Sequence, residues 1–400
     1  MKHQILKAGH AAWRLLPREF RRNAMSGIAA ALTRKPDAVP PAKSDGIVVA
    51  GDMAGANGLA ESARIMHDVF AAHGLARGSM NLGLPSVVPA FEGTISPHAA
   101  LLAVVNAPIL PVGLSRLPRD ILRHRRVIGM WVWELPVVPK QWHYAGKFVH
   151  EVWAPSQFCA DAMQAIVPGR VRVVPYPVAT GPLPFAGDRN SFGLPQDKII
   201  VLTIFNLASS MVRKNPLAAI AAFKAAFGDN DNYLFVMKLS GVRDYADDLA
   251  LIRTAVGAAR NIQLMTETLP EPELRGLIAV SDIILSLHRA EGFGLIPATA
   301  MLLGRPVIAT GWSGNVDFMT PETSILVSHK LVPVIDPRGT YEMPGALWAE
   351  PDIEDAAAGL RKLADDPALR ARLGAAGQAY ARLKLGAEPV LAAAAANGIV

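Results

Sequence analysis

The chain has 400 residues, enough for two or three domains of ordinary size, each with its own core. Hydrophobic residues make up 51% and charged residues 18%, a balance that excludes intrinsic disorder and favours a well-buried globular protein. The net charge of +6 is concentrated in residues 1–45, which carry nine basic residues and three acidic ones; the rest of the chain is neutral and lacks the basic body of a nucleic-acid binder.

Cys159 is the single cysteine, so neither an internal disulfide nor a thiolate metal cage is possible, and a reducing, cytoplasmic compartment is expected. The most apolar stretch, Leu101 to Leu114, is interrupted by Asn106, Pro108 and Pro111 and does not predict a membrane span. Residues 3–33 predict an amphipathic helical leader. Leu6, Trp13, Leu16 and Phe20 recur at helical spacing, Met25, Ile28 and Leu32 continue the stripe, and Arg14, Arg18, Arg21 and Arg22 flank it. Pro17 predicts two short helices or a kink. Two readings stand for residues 1–35: an interfacial helix on an anionic membrane surface, or a helix packed on its own domain with solvated arginines. Pro40 and Pro41 mark a linker that ends the leader region at residue 45.

From Gly46 the pattern becomes strand, turn, helix, repeated. Predicted strands are Ile47–Ala50, Leu101–Val105, Val127–Trp133, Glu151–Ala154 and Val171–Val174, with helices from about Leu59 and over Pro155–Ile166. Residues 177–197, rich in proline and glycine, divide a first domain (46–176) from a second (198–400). The second series of strands is Ile199–Phe205, Tyr233–Met237, Ile262–Met265, Ile283–Leu287 and Val307–Thr310. Predicted helices there are Pro216–Phe227, Glu271–Val280, Ile353–Asp365 and Pro367–Ala381. Such alternation predicts an α/β architecture of two doubly wound, Rossmann-like domains, with a ligand cleft between the carboxyl ends of both sheets.

The segment His288-Arg-Ala-Glu-Gly-Phe-Gly-Leu-Ile-Pro-Ala-Thr-Ala-Met301, continuing through Gly304 and Pro306-Val307, carries the strongest chemical signal. Gly292 and Gly294 allow close backbone approach and leave amides free at a helix start, a site suited to an anion. Glu291 follows a strand and faces the cleft, where it can accept hydrogen bonds from sugar hydroxyls. This segment resembles the donor-site signature of retaining glycosyltransferases of family 4, which have the GT-B fold. The resemblance implies that Glu291 contacts the transferred sugar and that Gly292, Phe293, Gly294 and Leu295 form the donor loop. The family's second acid, which holds the nucleotide ribose, is replaced by Thr299, a loss of about 1–2 kcal/mol of ribose binding.

The run Phe205 to Pro216 places Arg213 and Lys214 where the family clamps the donor diphosphate. A cation there stabilises charge on the departing phosphate; the alternative is a solvated helix start. Many members carry another arginine six residues before the lysine, at the position of Ala208. Gly58, Glu61 and Arg64 resemble the loop that faces the donor phosphates, and Glu61 with Arg64 also fits a plain helical pair. The Gly51–Gly58 spacing is not that of a nicotinamide site. Gly129-Met-Trp-Val-Trp-Glu-Leu-Pro136, with the segment from Glu151 to Phe158, resembles a bacterial polysaccharide-assembly branch of the family. It offers Glu134 for an acceptor hydroxyl or for capping a turn. Gly314 and Asn315 lie where the donor sugar is contacted.

Asp229-Asn-Asp231 sits in a helix-to-strand turn and reads as a cap rather than a metal site. The expectation is therefore metal-independent transfer of a hexose from a nucleotide sugar to a saccharide or lipid-linked hydroxyl, with retention and with no cofactor beyond the donor. It would act peripherally on the inner face of the cell membrane. With Thr299 and Ala208 in place of charged residues, the alternative is a degenerate binding or scaffold subunit.

Overall fold

In the computed structural model, residues 18–83, 89–92, 96–118, 120–181 and 185–400 are described. The first is α1 (Arg18–Leu32), a single helix; Leu6, Trp13, Leu16 and the expected kink at Pro17 lie outside the described residues. It packs through small residues, since Ser26, Ala30 and Thr33 are buried and Thr33 Oγ1 donates to Pro111 O at 2.9 Å. The described part of the expected apolar stripe faces away from the protein: Phe20, Ile28 and Leu32 are 55%, 56% and 78% exposed.

The first sheet has seven strands: β1 (Ile47–Gly51), β2 (Ala76–Asn81), β3 (Phe91–Glu92), β4 (Ala100–Val104), β5 (Val127–Met130), β6 (Glu151–Ala154) and β7 (Val171–Val173). Their order is β3-β2-β1-β4-β5-β6-β7, parallel except for β3. The central strands β1, β4 and β5 are buried at every position, as continuous apolar runs covered on both faces must be. Between β1 and β2 runs α2 (Gly58–Ala72), whose start is fixed by Asn57 Oδ1 accepting from the amides of Leu59 and Ala60.

The second sheet orders β10 (Ile262–Met265), β9 (Tyr233–Ser240), β8 (Ile199–Asn206), β11 (Ile283–Ser286), β12 (Val307–Thr310) and β13 (Ile325–Val327), all parallel. Both halves are thus doubly wound. In each, the strand order reverses next to a glycine-bearing or charged loop: after β1 in the first, after β8 and β11 in the second. The crevice at the carboxyl ends beside the reversal is where ligands bind in such sheets. One apolar cluster joins the halves, from Met66 and Phe70 under the first sheet to Leu202, Val236 and Phe293 in the second. The chain end returns to the first sheet, where Ser44 bridges Ile399.

Three differences from the predicted elements have local causes. The strand expected over Val127–Trp133 stops at Met130, because the next amides turn to side chains: Val132 N donates to Asn106 Oδ1 and Trp133 N to Cys159 Sγ. The expected helix Pro155–Ile166 is shorter, Gln157–Met163, since Ser156 Oγ accepts from Cys159 N and sets its start. A hairpin of β14 (His329–Pro333) and β15 (Leu347–Pro351) was not predicted at all. Its loop carries Tyr341 into the core of the first half, beside Trp131, Trp133 and Trp142.

Candidate active site

The loop after β8 and the loop after β11 meet at two ion pairs that share Glu291. Ser210 Oγ accepts from Arg213 N and opens the short helix Met211–Lys214, which Asn215 ends in the left-handed conformation. Ser210, Asn215 and Ser313 all hold positive φ, at 69°, 53° and 77°. Non-glycine residues are strained there, and strain of this kind gathers where a loop must present a side chain in one place. Here it presents Lys214, whose Nζ bonds Glu291 Oε1. Arg213 lies beneath, 3% exposed, with Nη1 3.3 Å from Glu291 Oε1 and 2.7 Å from Ala290 O.

Glu291 is itself fixed by backbone contacts. Its amide donates to Ser313 Oγ at 2.8 Å, and its carbonyl accepts from Gly314 N at 2.9 Å. Burial alone would raise its pKa, but Lys214 and Arg213 outweigh that and bring it down to about 2. It therefore stays a carboxylate in any physiological buffer. Burial lowers the Lys214 pKa, and the neighbouring Arg213 adds to this. Arg213 is held charged: burial acts against it, and the carboxylates of Glu291 and Glu134 prevail.

Glu134 does not cap its own turn. Its Oε1 lies 3.8 Å from Arg213 Nη2, and its Oε2 accepts from the Tyr341 hydroxyl at 3.2 Å. Burial raises its pKa. Tyr341 also stacks on Trp133, ring centres 5.2 Å apart, and Arg213 sits over its ring. Lys214, Arg213, Glu291, Glu134 and Tyr341 thus form one buried network drawn from both halves of the chain. Tyr341 was missed in the sequence, where nothing marks it: it precedes no helix and belongs to no apolar period.

The other expected site residues divide by role. Gly294 adopts φ +101° and turns the chain into α9 (Leu295–Leu302), so the amides after it point out of the helix start. Gly58 faces Leu295 across the cleft, where an added Cβ would lie 3.4 Å from Leu295 Cδ1. Phe293, buried against Tyr176 and Phe318, is core. Thr299 is buried on α9. Asn315 is fully engaged: its Oδ1 accepts from His288 Nε2 at 3.0 Å and its Nδ2 donates to Thr310 O at 3.0 Å. It and His288, whose pKa burial lowers, brace the loop that carries Glu291.

The first half also grips this loop directly. Ser156 Oγ donates to Gly292 O at 2.6 Å and Cys159 Sγ donates to the same oxygen at 3.1 Å, while Asp317 Oδ2 accepts from Gln157 N at 2.5 Å. The Cys159 thiol is pushed up to about 12 by burial and is no nucleophile. Asp231 pairs with Lys198 at the amino end of β9, away from the strands' carboxyl ends.

Glu61 and Arg64 do not form the helical pair that the sequence allowed. Arg64 Nη1 donates to Met53 O and Gly55 O, bracing the turn after β1. Glu61 instead meets Glu271 of α8 (Glu271–Val280) in the second half; burial, then Glu271, raises its pKa to about 8. An acid with a raised folded pKa keeps a proton that the unfolded chain has lost, so stability falls as pH rises from about 4.5 to about 8. Glu61→Gln should remove that slope. Thermal melts should show it and the parent alike near pH 5 and the variant about 2–4 °C higher at pH 8.5, of order 1 kcal/mol or more.

Two doubly wound sheets with a charged cleft between them define a GT-B architecture. Residues 185–380, just under half of the chain, match the family described as "Glycosyl transferases group 1". Solved structures agree on the fold. HepE from Anabaena, in complex with UDP and glucose, has a TM-score of 0.60 at 15% identity, over 88% of this chain and 98% of that one. A glycosyltransferase from Rickettsia africae gives 0.62 at 13% identity, over 87% and 96%. TarM from S. aureus gives 0.55 at 14% identity over 76% of this chain, which spans 56% of the TarM chain. No curated protein matches by sequence at a significant level.

Proposed function

We propose that the protein transfers a hexose from a nucleotide sugar to a hydroxyl of a saccharide or lipid-linked saccharide, with retention of configuration and without a metal. The observation that carries this reading is the Lys214–Glu291 ion pair, poised at the start of α9 with Arg213 behind it. A donor diphosphate entering the cleft would draw Lys214 to its oxygens and free Glu291 for the sugar hydroxyls. The anomeric carbon–oxygen bond then breaks, and its electron pair leaves on the diphosphate oxygen. The acceptor oxygen bonds to the anomeric carbon on the same face, and its proton passes to the departing phosphate oxygen. Lys214, Arg213 and the α9 amides supply the positive field that this departure needs. Glu134, across Arg213, is the acceptor-side acid.

A donor screen tests it. The protein is incubated with a panel of nucleotide sugars and a lipid-linked saccharide, and nucleoside diphosphate release and product mass are read. No release and no donor binding would overturn the enzyme reading and favour the degenerate binding subunit that Thr299 and Ala208 allow.

We further propose that the protein works peripherally on the cytoplasmic face of an anionic membrane. Among the described residues no helix is long and apolar enough to cross one. The support is α1, which turns Phe20, Met25, Ile28 and Leu32 to solvent, in a segment whose sequence is rich in basic residues. Because α1 packs on the body through the opposite face, the test uses the whole chain. Ile28→Ser with Leu32→Ser should reduce sedimentation with anionic vesicles about tenfold at unchanged melting temperature, from about 1–2 kcal/mol of lost apolar burial. Undiminished sedimentation would reject this surface.

A further inference from the structure

We infer that Lys238 is a donor-binding residue that recognises the nucleoside half of the nucleotide sugar; this rests on the donor reading above. Lys238 lies near the carboxyl end of β9 and is 3% exposed. Among the described residues its ammonium has a single hydrogen-bond acceptor, the adjacent Leu239 O at 3.2 Å, and no carboxylate lies within ion-pair distance. An ammonium can donate three hydrogen bonds, and a buried one left short of acceptors costs several kcal/mol. A chain that needed only packing there would have used the apolar residue that the pattern calls for: Leu234 and Val236, on the same face, are core.

The position in the sheet says which part of a donor it meets. Along the carboxyl edge the order is β12, β11, β8, β9, β10. The loop after β11 carries Glu291, for the sugar, and the loop after β8 carries Lys214, for the diphosphate. The next strands along, β9 and β10, are left for the nucleoside. Lys238 pairs in register with Ile204 of β8 and Met265 of β10, between the diphosphate loop and Glu267. Burial lowers its pKa and Glu267 raises it, so a ligand oxygen would be met by a cation that the protein has not neutralised. Its target is a nucleoside oxygen, a ribose hydroxyl or a base carbonyl. A cation here offsets the second acid that Thr299 replaces, by a different contact to the same half of the donor.

The test is calorimetric titration of the full chain and of Lys238→Met with the diphosphates of uridine, guanosine and adenosine, and with inorganic pyrophosphate. Methionine fits the burial and removes an unpaired charge, so the variant should melt no lower than the parent; Lys238→Gln serves as a second variant. The expected result is a loss of about 10–100-fold for the nucleoside diphosphate that the parent binds best, the worth of one charge-assisted hydrogen bond. Pyrophosphate binding should stay within about twofold, since it has no nucleoside. Unchanged nucleotide binding overturns the assignment, and so does an equal loss for pyrophosphate, which would put the ammonium on the phosphates. If the parent binds no nucleoside diphosphate, the donor reading fails and this assignment falls with it.

Discussion

Replacing Lys214 by methionine should lower turnover by about 10²–10³-fold, the usual effect of removing one charged group aimed at a developing negative charge. The loss should appear mainly in kcat, because the diphosphate oxygen is more negative when the glycosidic bond is breaking than when the donor first binds. Two features make this a test of the site rather than of folding. Arg213 stays 3.3 Å from Glu291, so the carboxylate keeps a charged partner in the variant. Lys214 also retains partial contact with solvent, with a side chain 20% exposed, so a methionine there is tolerated. Glu291→Gln should cost a similar factor while leaving nucleoside diphosphate binding within a few-fold, since the glutamate serves the sugar and not the diphosphate. Turnover within about threefold of the parent in either variant would remove that residue from the site.

Gly314→Ala is expected to disrupt the loop that carries Glu291. An added Cβ would lie 2.2 Å from Gly292 O and 2.5 Å from Gly292 C. Those atoms are backbone, and Ser156 and Cys159 of the first half already hold the same oxygen, so the donor loop cannot yield without losing its cross-cleft bonds. The Gly314 amide also holds the Glu291 carbonyl, so any shift moves the carboxylate. A cost of about 2–3 kcal/mol follows from overpacking against rigid backbone, with a melting temperature lower by about 4–8 °C. Activity should fall further than stability, because displacement of about 1 Å at a positioned group costs about 10²-fold. Gly339→Ala, where nothing lies within 4 Å of the added Cβ, controls for glycine replacement as such; its φ of +61° predicts a small backbone penalty and no loss of turnover. Parent-like activity in Gly314→Ala would mean that the donor loop is not held as described.

The alternation of strands and helices, and with it the doubly wound architecture, was legible because buried parallel strands must be runs of apolar residues with polar turns between them. Glu291, Arg213 and Lys214 were legible for a related reason. Each sits in the loop segment that leaves a strand's carboxyl end, and such segments border the cleft. The polar strand Ala76–Asn81 was not legible, since half-buried residues at a sheet margin leave no apolar run. The leader showed a stripe but not its direction. Small residues, Ser26 and Ala30, turned out to be the packed face and the large apolar ones the open face.

Sequence alone therefore determined the two sheets and the cleft, and placed Arg213, Lys214 and Glu291 in the loops beside it, because all of these follow from short-range order. Tertiary structure alone decided the pairings. Tyr341 reaches Glu134 across 207 positions, Glu291 reaches Lys214 across 77, and Gly292 is held by Ser156 across 136. Glu61 meets Glu271 rather than its helical neighbour, and among the described residues no carboxylate pairs directly with Lys238. Contacts of this kind are made when the two sheets close on one another, and a linear pattern has no period that records them.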